Sequence, residues 1–186
     1  GNDELFSKYM VDDDDFYLRI KMSGAKYCQL FETAVYHMPS KSVRMRETED
    51  DIQKDFDSQY RKSVRNFIRK WGVWPGTVWD ENRDMVIPNK YDIGIVIKNC
   101  NIDLLVSIEP WCSDIYIVGD DNSHIKKYIS MEQKNTLFDL ESKIHTDINN
   151  MSNDILLEFD GKDFADSEKM NFIQRLPEVL DNSGEI

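Results

Sequence analysis

Between Tyr91 and Val118 the chain carries two β-branched runs with a helical stretch between them, and that spacing leaves few folds open. Residues 91–98 (Tyr-Asp-Ile-Gly-Ile-Val-Ile-Lys) and 114–118 (Asp-Ile-Tyr-Ile-Val) are short and β-branched, the mark of buried strands. Residues 102–111 place apolar side chains at helical spacing. Two strands joined by a crossover helix lie parallel, with the helix packed on the sheet. A further strand is predicted over residues 153–159 and an amphipathic helix over 167–180, with Pro177 near its end. The expected fold is α/β: a small parallel or mixed sheet with flanking helices over residues 86–186, preceded by a mostly helical segment, residues 1–85, with one strand.

In that first segment Phe16, Leu18, Ile20 and Met22 alternate with Tyr17, Arg19 and Lys21, which predicts the strand. The aspartates at 12–15 read as a solvated turn ahead of it. Tyr27, Leu30, Phe31, Ala34, Val35 and Met38 fall at helical spacing, and Pro39 closes that helix. Thr48 followed by Glu49, Asp50 and Asp51 opens a longer one. Its apolar face is Ile52, Phe56, Tyr60, Val64, Phe67, Ile68 and Trp71, and Gly72 stops it. Residues 74–83 read as a loop.

Charge narrows the function classes. Of the 186 residues, those from 71 onward carry −12, the net charge of the whole chain, while residues 41–70 carry +3. Bulk nucleic-acid binding, which draws on released counterions around clustered Lys and Arg, is not expected. An acidic surface suits divalent cations or a basic protein partner instead. Cys28, Cys100 and Cys112 are odd in number and lack paired spacing, so zinc and a disulfide framework are not expected and a reducing, cytoplasmic setting is. No apolar run approaches the ~20 residues of a membrane span, and the start of the chain lacks a signal-peptide layout. Phosphate loops, nucleophile elbows and zinc-protease motifs are missing, and His37, His124 and His145 stand apart from any ligand-spaced cysteine.

The polar clusters sit where the strands end. Residues 99–101 (Asn-Cys-Asn) follow the first strand, and residues 119–123 (Gly-Asp-Asp-Asn-Ser) follow the second. Residues 160–163 (Asp-Gly-Lys-Asp) follow the strand at 153–159. Ligands of open parallel sheets bind at this carboxyl-terminal rim. Asp120 and Asp121 suit hydrogen bonds to a base or ribose, and hard carboxylate oxygens suit Mg²⁺ or Mn²⁺ bridging a diphosphate.

This order of motifs resembles the nucleotide-sugar half of family 2-type, GT-A fold glycosyltransferases, over residues 91–180. Cys100-Asn101 stands for that family's first motif, Asp120-Asp121-Asn122-Ser123 for the second and Asp160-Gly161-Lys162-Asp163 for the third. The resemblance implies nucleotide contacts from Asn101, Asp120, Asp121 and Ser123, and a Mg²⁺ or Mn²⁺ ion at Asp160 and Asp163. Lys162 departs from the pattern, standing where the family has an aspartate. The chain also ends soon after the third motif, which implies a fragment or a reduced, non-catalytic relative.

Three other sets of residues could carry chemistry. Asp114, Glu132 and Lys134 form a nuclease-like set if residues 128–134 are a strand. Gly76-Thr77 with Asp92 and Gly94 is similar to a nucleotidyltransferase, but Gly94 occupies the place of a metal carboxylate. Arg61, Arg65 and Arg69, with Lys62, Arg44 and Arg46, make a basic stripe that binds an anion or, more simply, faces the protein's own acidic groups. Trp71, Trp74, Trp79 and Trp111 read as core or loop anchors. The leading expectation is binding of a nucleoside diphosphate sugar, with metal-assisted glycosyl transfer to an unidentified acceptor left open. The competing one is a non-enzymatic acidic module of inhibitor or immunity type that binds a basic protein.

Overall fold

The computed structural model describes residues 3–6, 10–26, 28, 30–35, 49–79, 90–119, 123–164 and 167–182. Its centre is a four-stranded sheet: β1 (Ile93–Lys98), β2 (Asp114–Val118), β3 (Ile144–His145) and β4 (Ile155–Asp160). The order is β3-β2-β1-β4 and every pairing is parallel, so the sheet is parallel rather than mixed. β1 and β2 are adjacent, with Ile95 opposite Ile115 and Ile97 opposite Ile117. The crossover between them is α3 (Ile102–Ile108) followed by a 3₁₀ turn, Glu109–Trp111. After β2 come α4 (Ser123–Glu132) and the single-turn α5 (Leu140–Lys143), and α6 (Ser167–Asn182) follows β4.

Strand alternation splits the sheet into two unlike faces. Ile93, Ile95, Ile97, Ile115 and Ile117 form one core with Leu104, Leu105 and Ile108 of α3, Ile125 and Tyr128 of α4, and Ile173 and Leu176 of α6. On the opposite face, the segment before β4 covers the strand starts. Asn153 donates to Asp92 and Asp114, both at 2.8 Å, and accepts from the Tyr116 hydroxyl at 2.7 Å. A Cβ on Gly94 would lie 2.4 Å from Asn153 Oδ1, so the glycine makes room for this bridge. Lys98 and Glu158, further along the same face, are exposed and paired with each other.

Helix α1 (Asp12–Met22) stands where the alternation of residues 16–22 predicts a strand, a correction with a clear cause. All four aspartates lie in its first turn, where the helix dipole favours negative charge. The buried positions Val11, Asp15 and Leu18 then recur at helical, not strand, spacing. Asp15 is no solvated turn residue: it accepts from Trp71 Nε1 at 2.8 Å, Lys70 Nζ at 2.6 Å and Arg19 Nε at 2.9 Å. The helix expected from Tyr27 is also overturned for the residues described, since 28 and 30–35 are not helical. Leu30, Phe31 and Val35 stay exposed, and a short stripe that packs on nothing does not hold a helix. Tyr27, Met38, Pro39 and Thr48 lie outside the described residues.

Helix α2 (Glu49–Trp71) ends as expected, with Gly72 at φ 68° donating to the Ile68 carbonyl at 2.7 Å. Val64, Phe67, Ile68 and Trp71 pack with Phe6, Val11, Leu18 and Val78 in a second apolar cluster. The loop predicted from Trp74 contains a 3₁₀ turn, Pro75–Trp79; residues 80–83 lie outside the description. Among the described residues no helix is long and apolar enough to cross a membrane, and the three cysteines are free thiols.

What joins the two clusters is a buried ion network. The Arg69 guanidinium meets Glu109 through Nε at 3.0 Å and Nη2 at 2.6 Å, and meets Glu132 at 2.6 Å. Arg65 bonds Glu132 at 2.7 Å, and Lys143 and Tyr128 complete Glu109 at 2.9 and 2.8 Å. The basic stripe thus faces the protein's own carboxylates through Arg65 and Arg69, while Arg61 is exposed. Burial pushes the Glu109 carboxyl up, but the Lys143 and Arg69 charges outweigh it and hold it at about 2, below its ordinary 4.5.

Replacing Glu109 by Gln should therefore cost about 3–5 kcal/mol at neutral pH, because it strips Lys143 of its carboxylate and leaves Arg65 and Arg69 to share Glu132 alone. The sign of the pH dependence follows from the lowered value. The ionised carboxylate stabilises the fold above pH 4.5, and that contribution is lost as pH falls toward 2. Urea unfolding of both proteins at neutral pH and near pH 3 should show the gap shrinking on acidification; a gap independent of pH would contradict the assignment.

Candidate functional site

Because all four strands are parallel, their carboxyl ends form one rim. β1 leads through α3 to β2 on one side, whereas β4 lies on its other side, so the direction of strand addition reverses between β1 and β4. Such a reversal is where open parallel sheets hold ligands. The residues at that point are Asn99, Cys100 and Asn101 from β1, and Asp160, Gly161, Lys162 and Asp163 from β4.

Asp160 is held from two directions. Asn99, in the left-handed region at φ 51°, donates its side-chain amide to both carboxylate oxygens at 2.9 Å, and the Lys162 backbone N–H donates to Oδ1 at 2.9 Å. These hydrogen bonds, Lys162 N–H first and Asn99 second, lower the Asp160 pKa, so the group is a carboxylate at neutral pH. Gly161 completes the junction: a Cβ there would sit 2.5 Å from the Asn99 carbonyl oxygen and 2.9 Å from Leu104 Cδ2. The sequence places Asn99 and Gly161 in the strand-end clusters without giving either a role, and the structure shows that both shape the junction. Their signal was faint, an Asn and a Gly beside a strand end, positions that tolerate unusual backbone and close approach.

Asn101 caps α3, its Oδ1 accepting from the Leu104 N–H at 2.9 Å, which leaves its amide NH₂ as the group free to meet a ligand. Ser123 begins α4 and is exposed. Asp163 is exposed, and its backbone carbonyl accepts from Lys169 Nζ at 2.6 Å. Asp120 and Asp121 lie outside the described residues, so the structure brings Asn101, Asp160 and Asp163 to one rim and does not place those two. Gly119, at φ 148°, follows the end of β2 on the same rim. Burial pushes the Cys100 thiol up to about 12, which keeps it protonated and unsuited to nucleophilic work.

The described carboxylates of the rim do not by themselves make a divalent-cation site. Among the described residues no three His, Cys, Asp or Glu side chains come together as a metal site. Asp160 already accepts from Asn99 and Lys162, and the cationic Lys162 separates it from Asp163 in sequence. The nuclease-like set is overturned outright, because residues 123–132 are helix, not strand. Asp114 instead pairs with His145 at 2.8 Å at the opposite end of the sheet, and Glu132 holds Arg65 and Arg69. Trp74 is exposed, rests 5.5 Å from Trp111 and donates to Gln174; Trp71 belongs to the core, and the Trp79 side chain lies outside the description.

No protein-family model, curated protein or solved structure matches this chain. The geometry of the rim is therefore what bears on function.

Gly161→Ala tests that geometry without touching a charge. The added methyl meets backbone on the Asn99 side, where nothing flexible yields, so a stability loss of about 1–3 kcal/mol is expected in urea titration. An alanine variant as stable as the parent would mean that the β1 and β4 ends are not in close contact.

Proposed function

We propose that the chain binds a nucleoside diphosphate, and by extension a nucleotide sugar, over the reversal point between β1 and β4. What supports this reading is the strand order β3-β2-β1-β4, which brings the polar residues that follow β1 and β4 together at the place where parallel sheets open a ligand crevice. Asp160, ionised and fixed, accepts from ribose or sugar hydroxyls, and the Asn101 amide donates to a base or phosphate oxygen. Asp120, Asp121 and Ser123 belong to the same proposal as the nucleoside contacts from the β2 side. Lys162 supplies positive charge for the diphosphate, so no divalent cation is needed for binding. Glycosyl transfer is the reaction class that fits such a ligand, and no residue of this chain is assigned as its catalyst.

Titration calorimetry with UDP, GDP and their sugars tests the proposal. Binding should survive chelation of divalent ions. Asp160→Asn and Lys162→Ala should each weaken it by roughly ten-fold, the worth of one hydrogen bond or contact to a charged partner. Absence of heat at millimolar ligand, with the protein shown to be folded, would overturn it. A strict requirement for Mn²⁺ or Mg²⁺ would instead restore the metal and return Asp163 to the site.

A further inference from the structure

Among the described residues the sheet has two edges, and they are not alike. β3 is an edge of two residues, short enough to offer little to a passing strand. β4 is an edge of six residues, Ile-Leu-Leu-Glu-Phe-Asp, and it contains no proline, lysine or bulge to blunt it. Its register on β1, with the Ile155 N–H donating to the Asp92 carbonyl at 3.1 Å, turns the backbone groups of Ile155, Leu157 and Phe159 inward. The N–H and C=O groups of Leu156 and Glu158 therefore point away from the sheet. Beside this edge lies a cavity of about 390 Å³ lined by the apolar Leu157, Phe159, Phe164, Phe172 and Ile173 together with Glu158 and Lys169. Phe172 of α6 is 49% exposed there.

A fifth strand, about 4.8 Å beyond β4, would lie over this cavity, and every second side chain would point into it. Charge decides what kind of strand fits. Residues 154–163 carry four acidic side chains, Asp154, Glu158, Asp160 and Asp163, against one lysine, Lys162. On its inner side Glu158 is already met by Lys98 of β1, and the outer side has the same call for a cation. A second copy of this chain would instead set Glu158 against another Glu158 and a net −12 against −12. We propose that the outer edge of β4 takes an extended, basic segment of a partner protein as an added strand, with alternate apolar side chains in the β4–α6 cavity and a Lys or Arg beside Glu158. This is strand addition, in which backbone bonds give affinity and alternate pockets give selectivity. It uses a surface separate from the rim and stands whether or not nucleotide binds.

The test is fluorescence anisotropy with a labelled synthetic peptide of about twelve residues alternating Val or Phe with Lys. It should bind, and the amides of Leu156 and Glu158 should gain hydrogen-exchange protection. N-methylation of alternate peptide residues should weaken binding at least roughly ten-fold in one parity and little in the other. Glu158→Lys and Phe172→Ser, both at exposed positions, should each lower affinity several-fold while circular dichroism stays unchanged. Equal binding of both N-methylated parities, or of a peptide with Glu in place of Lys, would overturn the proposal. So would a self-associated protein in sedimentation whose dimer is abolished by Glu158→Lys, since a second copy would then hold the edge.

Discussion

The fold hangs on one buried carboxylate. Glu109 lies where α3 passes into its 3₁₀ turn, fully out of solvent, and gathers Arg69, Arg65, Lys143 and Tyr128 around it. Two of these partners come from α2, one from α4 and one from α5, so a single side chain ties the N-terminal helices to the helix layer of the sheet. Desolvating so many charges is favourable only when each is matched, and here the pairing is close and multiply hydrogen-bonded. Trp111, two residues on, touches both apolar clusters and reinforces the same seam.

Much of the sheet was legible because its signals are local and strong. The β-branched runs of β1 and β2 have a period that tertiary packing does not override, and the long stripe of α2 does likewise. Where the reading failed, the pattern was short. Four alternating apolar residues in α1 yielded to a dipole-stabilised aspartate turn and to Asp15 meeting Trp71, Lys70 and Arg19 across the fold. β3, two residues long, offers no pattern to read, and of the stripe from Tyr27 the described residues Leu30, Phe31 and Val35 are exposed rather than packed.

For the site, position was legible and role was not. Strand ends rich in Asn and Asp located the rim, since parallel strands must deliver their following loops to the same side. That Asp160 is clasped by Asn99 depends on a distance between segments sixty or so residues apart, which no local pattern encodes. That Asn101 caps α3 is a contact only three residues along the chain, an Asn ahead of a helix whose capping role competes with a ligand role for the same side chain. Glu109 was likewise hidden. Its sign was a lone acid on the apolar face of residues 102–111, matched by Arg65 and Arg69 one helical turn apart.

The placement of β4 has a consequence for how this chain comes into being. β1 is an inner strand of the finished sheet, yet the partner on one of its flanks is made about sixty residues later, with Ile93 pairing to Ile155. At ribosomal speeds of roughly 5–20 residues per second, that flank waits several seconds after β1 has emerged. During that interval the nascent chain presents Ile-Gly-Ile-Val-Ile as an open edge, the sort of stretch that chaperones shield and aggregates recruit. Closure of the sheet therefore waits on β4, on the arrival of two leucines and a phenylalanine, rather than following from the collapse of what came before.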